Sequence, residues 1–425
     1  MKKIRLLASV LLMAALLSSC GGNADAPPEA GGDGSAAQQD ITLTMWLFPV
    51  GNWGKPTSVS SVLTGFHQNY PNIHVTLEYL EYEDGDALIE QAIAEGRTPD
   101  LVLEGPERLV ANWGDRGLMA DLSDLWAEPQ SETIYETARN ACRHSSGAYY
   151  EYPICMSAHC MAINYNMFQK AGALQYIDEE TRTWTTEGFI KAVQALTAYG
   201  QKQVGVVYCK DQAGDQGTRA LVNNLYGGSF TDSTHTHYTI DSEENVRALQ
   251  LLYGLEGIDF APGLSCSDEI ELFCTKKLAM AFCWNVSQEI QQTVKRPDLD
   301  FEIFPMAFPT DQDQPELSSG IWGFGVFDSG DEERTNAAKT LIRFLTEDDA
   351  QYTRTVQTST YWPVRDLKNV YVNDMLMEEY SIFTPYAGDY YQVTPGWTEA
   401  RTAWWQLLQE VGAGAEIEEA VKDFP

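Results

Sequence analysis

The feature that most constrains the fold is an alternation of apolar patterns that begins at residue 41. Ile41 to Phe48 has the pattern of a buried strand, and Thr57 to Tyr70 predicts a helix with Val59, Val62, Leu63 and Phe66 on one face, ended by Pro71 and Asn72. Ile73, Val75, Leu77 and Tyr79 then alternate with polar residues at strand period. Leu88, Ile89, Ala92 and Ile93 return to helical spacing before Gly96, and Leu101 to Leu103 form a short buried strand. Strand and helix in turn predict an α/β architecture with a largely parallel sheet. A second block has the same character. Ala162, Ile163 and Tyr165 precede a helix near Met167 to Ala171, Phe189 to Tyr199 is amphipathic, and Val204, Val206, Val207 and Tyr208 predict a strand. Late in the chain, Ile321 to Phe327 reads as a strand, and Thr335 to Leu345 and Arg401 to Val411 as helices. A chain of 425 residues, 44% hydrophobic, is long enough for two such lobes.

The first forty residues have a different character. Lys2, Lys3 and Arg5 precede an apolar run from Leu6 to Leu17, which is shorter than the roughly 20 residues of a membrane-spanning helix. The pattern is that of a signal peptide over residues 1–19. Leu17, Ser18, Ser19 and Cys20 resemble the bacterial lipobox, so Cys20 is expected to be the lipidated N-terminus of the mature chain, anchored to the cell membrane from the extracytoplasmic side. Residues 20–40 are then expected to form a tether, almost entirely Gly, Ala, Asp, Pro, Ser, Gln and Asn after Cys20, with no apolar period to dock it on a core.

Charge and composition exclude several classes of function. The formal net charge is −33, from 28 basic and 61 acidic residues, which disfavours binding to a phosphate backbone. No nucleic-acid partner is expected. Besides Cys20 there are seven cysteines, an odd number that cannot all pair, and sequence alone fixes no connectivity. Neither a repeated CxxC nor an HExxH occurs, so no metal or cofactor is expected.

The order of motifs resembles the extracellular solute-binding proteins of family 1, the group of maltose-binding and other oligosaccharide-binding lipoproteins. Phe66 to Asn72 resembles the family's "F…YPNI.V" passage, and Pro99 to Val102 its "PDV" strand. Tyr152, Pro153 and Ala162 to Gly172 resemble "P…YYN…F.KAG", with Trp184 at the usual "TW". Phe273 to Trp284 resembles "F..GKAAM…W", although Lys277 replaces a glycine. Gly320 to Gly325 resembles "GGWG" with Ile321 departing from it, Ala337 to Leu345 resembles "A..FI.FL", and Pro363 to Arg365 matches "P.R".

This resemblance implies a two-lobed periplasmic-binding-protein-like α/β fold of type II, with a hinge and an interlobe ligand cleft. The expected lobes are residues 41–150 plus 310–357 and residues 151–309 plus 358–425. A sugar presents an apolar ring face and a rim of hydroxyls, so its site needs flat aromatics and fixed polar groups. Trp284 is the first choice, because it follows the strand-like Leu278 to Phe282 and matches the family's stacking tryptophan; core packing is the alternative. Trp322, between Gly320 and Gly323, is divided evenly between cleft and core, as are Tyr361 and Trp362 before Pro363. Trp53 lies in a Gly-rich loop expected to face the cleft. Glu104 follows a short strand and either accepts ligand hydroxyls or caps the next helix. His159 lies where the chain should pass between lobes, and a lone histidine is more often structural.

The expected function is that of a monomeric, non-enzymatic solute-binding lipoprotein. It would capture a small polar solute, a mono- or oligosaccharide above all, and deliver it to the permease subunits of an ABC importer. The alternatives are a lipid-anchored glycoside hydrolase, which needs two carboxylates across a sugar cleft, and a binding protein for a peptide or polyamine.

Overall fold

The structure, a computed structural model, describes residues 39–81, 84–388 and 390–424. The expected signal peptide, Cys20 and the expected tether through residue 38 lie outside the described residues. Among those described, no helix is long and apolar enough to cross a membrane.

The strands in chain order are β1 (Ile41–Leu47), β2 (Ile73–Tyr79), β3 (Leu101–Glu104), β4 (Tyr152–Ala158), β5 (Cys160–Asn164), β6 (Gly205–Tyr208), β7 (Ile258–Ala261), β8 (Met280–Trp284), β9 (Ile303–Met306) and β10 (Ser319–Val326). The first sheet has the order β2-β1-β3-β10-β4. β1 runs parallel to β2 and β3, as the helices Pro56–Asn69 and Gly85–Glu95 between them require, whereas β10 is antiparallel to both β3 and β4. Both faces of this sheet are covered. Leu101 and Leu103 of β3 join a core with Leu43, Met45, Leu47, Phe66, Ile321 and Leu341, while Val102 points the other way among Phe48, Ile89, Leu109 and Trp113. Arg334 fastens the start of β3 by donating to both oxygens of Asp100 at 2.8 and 2.6 Å.

A second sheet, β8-β5-β9, and the pair β6-β7 share another core, built around Phe189, Val206, Leu221, Phe273, Phe282, Trp404 and Leu408. β5 is antiparallel to both β8 and β9, so the expectation of largely parallel sheets holds for β1 to β3 and for β6-β7 but fails here. The reason is the crossing. β4 ends at Ala158 in the first sheet and β5 begins at Cys160 in the second, with only His159 between. β9 returns through residues 307–318 to β10. Residues 359–377 cross beside them, where Trp362 and Met156 exchange backbone hydrogen bonds of 2.9 and 2.8 Å.

Candidate functional site

β3, β4 and β10 present their ends to a cleft of about 1460 Å³ between the two cores. β3 delivers Glu104 at its carboxyl end, which is where open α/β sheets place ligand-binding groups. Gly105 follows for steric reasons, since a Cβ there would stand 2.5 Å from the Glu107 carboxylate and 3.0 Å from the Ile321 carbonyl. On β10, the Trp322 ring folds back over Gly320, whose Cβ would lie 2.3 Å from it. That ring stacks on Tyr361, with centroids 4.6 Å apart and planes at 12°. Both aromatics are half-buried and line the cleft.

Glu104 is 1% exposed. Its Oε1 accepts from Arg108 at 3.0 Å, and its Oε2 has no hydrogen-bond partner. Burial pushes its carboxyl up to about 8, and the Arg108 guanidinium does not offset this because Asp86 engages it through bonds of 2.6 and 2.8 Å. Glu151, also fully buried, has neither oxygen partnered, and burial with the charges of Glu107 and Glu104 holds it protonated well above the carboxylate range. Tyr390 donates to Glu107 from the C-terminal segment. The Ser157 and Ser319 hydroxyls, on neighbouring β4 and β10, line the cleft buried and unpartnered.

The facing wall comes from the second core. His159 contacts Gln216 at 3.3 Å and Asn285 at 3.4 Å, and burial holds its imidazole neutral down to about 4. Asn285 caps the helix Val286–Lys295, with its Oδ1 accepting from Ser287 and Gln288. Buried Arg219 pairs with Asp215, donates to the Tyr391 hydroxyl at 2.8 Å, and lies 4.8 Å from the ring centroid of cleft-lining Trp397. Among the described residues, no group of three or more His, Cys, Asp or Glu side chains could hold a metal ion.

Residues 50–352 match the profile of the bacterial extracellular solute-binding proteins. The chain belongs to this family. Solved structures of other solute-binding proteins share its fold. A protein from Thermotoga lettingae TMO bound to alpha-D-tagatose is 19% identical, with a TM-score of 0.68 over 90% of this chain and 97% of its own. A Listeria monocytogenes ABC substrate-binding protein in complex with cycloalternan is 19% identical, with a TM-score of 0.61 over 91% and 97%. Maltose-bound MalE3 of T. maritima is 18% identical, with a TM-score of 0.64 over 90% and 97%. A search of curated protein sequences returned no match.

Within this solute-binding fold, Glu104, Trp322 and Tyr361 meet in the cleft, and His159 lies opposite. Glu104 caps no helix, because the next one, Pro106–Arg108, begins after Gly105 without a side-chain cap. Three predicted aromatics lie elsewhere. Trp284 is fully buried, donates to the Tyr380 hydroxyl at 2.7 Å and packs edge-on against Phe273; its neighbour Asn285 reaches the cleft instead. Trp53 is fully buried, donating to the Thr355 carbonyl at 3.2 Å beside Phe324. Trp362 donates to the Met377 carbonyl at 3.3 Å and borders a separate cavity of about 920 Å³ behind the crossing strands. Sequence reasoning missed Ser157, Ser319, Asn285, Tyr390 and Trp397. Only Asn285, directly after Trp284, carried a usable signal.

Proposed function

We propose that this chain is an extracytoplasmic solute-binding lipoprotein of an ABC importer, that it takes a mono- or oligosaccharide into the cleft, and that its two lobes close on the sugar. The observation that carries this reading is a half-exposed aromatic pair, Trp322 and Tyr361, beside three buried oxygens without partners, on Glu104, Ser157 and Ser319. A buried polar atom left unpaired costs about 1–3 kcal/mol, so each gains when a ligand hydroxyl reaches it. The neighbouring rings offer a face to the apolar side of a pyranose. At about 1460 Å³ the cleft exceeds the roughly 300–1,000 Å³ of common ligand pockets, which favours an oligosaccharide or an open resting state. The sugars bound to the structural relatives support the same class.

Binding therefore centres on Glu104, Trp322 and Tyr361, with lobes at residues 41–150 plus 310–357 and 151–309 plus 358–425. The change of sheet at His159 supports an inner boundary several residues later than 151. Anchoring through lipidated Cys20 would hold this body beside its permease. The deciding test is a thermal-shift screen against mono- and oligosaccharides, amino acids, peptides and polyamines, because a ligand that binds only the native state raises its melting temperature. A shift from sugars alone supports the reading. A shift from polyamines or peptides alone overturns it.

A further inference from the structure

The unpaired cysteines are not equivalent. Cys142, Cys155, Cys160, Cys209 and Cys274 are buried, and burial pushes each thiol up. Cys266 and Cys283 instead meet against one backbone position. A Cβ on Gly214 would lie 2.9 Å from the Cys266 sulfur and 2.7 Å from the Cys283 sulfur, so the two sulfurs are no further than about 5.6 Å apart. The two thiols perturb each other's ionisation, as neighbours at this range must. Gly214 adopts φ +69°, and no larger residue fits between it and the sulfurs.

We propose that Cys266 and Cys283 are a redox pair that closes to a disulfide beside the ligand cleft and pins the loop that lines it. The family's extracytoplasmic setting is one in which disulfides form and persist. Cys266 is the partly exposed member, at the first turn of the helix Cys266–Cys274; the neighbouring Cys283 thiol holds its own below the ordinary range, and so it is the attacking group. With oxidised glutathione as the oxidant, the Cys266 thiolate attacks one sulfur of the glutathione disulfide, forming a mixed disulfide and expelling one glutathione thiolate. Cys283 then gives up its proton and attacks the Cys266 sulfur, expelling the second glutathione. Two cysteines lose two electrons and two protons, and one glutathione disulfide becomes two thiols.

The bond would tie two segments together against a third, the Gly214 loop. Cys283 lies one residue before Trp284 and two before cleft-lining Asn285, while Gly214 leads directly into Asp215 and Gln216 of the cleft wall. The loop it closes is short, and the chain-entropy effect corresponds to a rise of about 3–5 °C in melting temperature.

The test incubates the full chain with oxidised or reduced glutathione, blocks free thiols with N-ethylmaleimide, and maps proteolytic peptides by mass spectrometry. A linked peptide pair carrying Cys266 and Cys283, about 2 Da lighter than the two reduced peptides, is expected. It should vanish in Cys266→Ser, which alters the partly exposed member and keeps a side chain of similar size there. Amide hydrogen exchange over residues 210–217 should slow on oxidation and should not change in Cys266→Ser. Full maleimide labelling of both cysteines after oxidation, or a link to a different cysteine, overturns the pairing. Equal exchange over 210–217 in the two redox forms overturns the claim that the bond pins the cleft loop.

Discussion

Replacing Glu104 by glutamine changes the pH dependence of stability in a direction fixed by the site. In the folded protein Glu104 keeps its proton up to about pH 8, because it is 1% exposed and Arg108, the cation in hydrogen-bond contact with it, is held by Asp86. In the unfolded chain a glutamate ionises near 4.5. A folded-state value raised in this way leaves stability intact below pH 4.5, and the loss accumulates as pH climbs to about 8. At about 1.4 kcal/mol per pH unit, the wild-type protein gives up about 4–5 kcal/mol across this interval. Glutamine is neutral throughout, has nearly the same shape, and its amide oxygen can still accept from Arg108. Glu104→Gln should therefore melt within about 1 °C of wild type at pH 5 and about 5–6 °C above it at pH 8, given the unfolding entropy of a body this size. Scanning calorimetry of both proteins at pH 5, 6.5 and 8 reads the difference directly. Buried Glu269 and Glu289, whose shifts owe nothing to Glu104, act alike in both proteins and cancel in the comparison. Melting temperatures that run parallel from pH 5 to 8 would refute the reasoning.

Further substitutions separate binding from folding. Trp322→Ala should lower sugar affinity some thirtyfold, or about 2 kcal/mol, in calorimetric titration, with an apo melting temperature within a few degrees of wild type. Trp284→Ala should do the reverse, losing about 3–5 kcal/mol of stability in denaturant unfolding while the folded fraction binds with wild-type affinity, because its ring packs on Phe273 and Tyr380 away from the cleft. Cys20→Ala should move the protein from the membrane to the soluble fraction and abolish incorporation of a labelled fatty acid.

The legible parts of the fold are those in which local pattern and tertiary environment agree. β1, β2 and β3 and the helices between them lie at the predicted positions, because Pro71, Gly96 and the Thr98 to Pro99 turn punctuate them and their apolar residues fill cores on known faces. β4 and β9 were not recognised, and each carries a proline, Pro153 and Pro305. A proline argues against a central strand, but both of these are edge strands, where one lost ladder donor is tolerated. The direction of β5 against β8 and β9 was equally hidden, since it depends on the chain crossing between sheets at His159 and not on any residue within the strands.

The same distinction governs the site. Glu104 was legible because a carboxylate just before Gly-Pro at the end of a parallel strand has to emerge at the sheet's carboxyl edge. The same rule fails at Trp284 by one residue. Every residue of β8, from Met280 to Trp284, is buried, so the strand delivers no ring to the cleft, and the first side chain to reach it is Asn285, which begins the next helix. Trp322 escapes this rule through Gly320, whose missing Cβ lets the ring lie back over its own strand. Tyr390 arrives from a segment with no periodic pattern and Trp397 from just before the periodic part of its helix, and Ser157 and Ser319 look like any strand serine until two neighbouring strands of one sheet are seen to leave their hydroxyls unpaired. The cleft is thus made where strands stop and chains cross, and its residues are marked by what they lack: a hydrogen-bond partner for an oxygen of Glu104, Ser157 and Ser319, and full burial for the pair Trp322 and Tyr361.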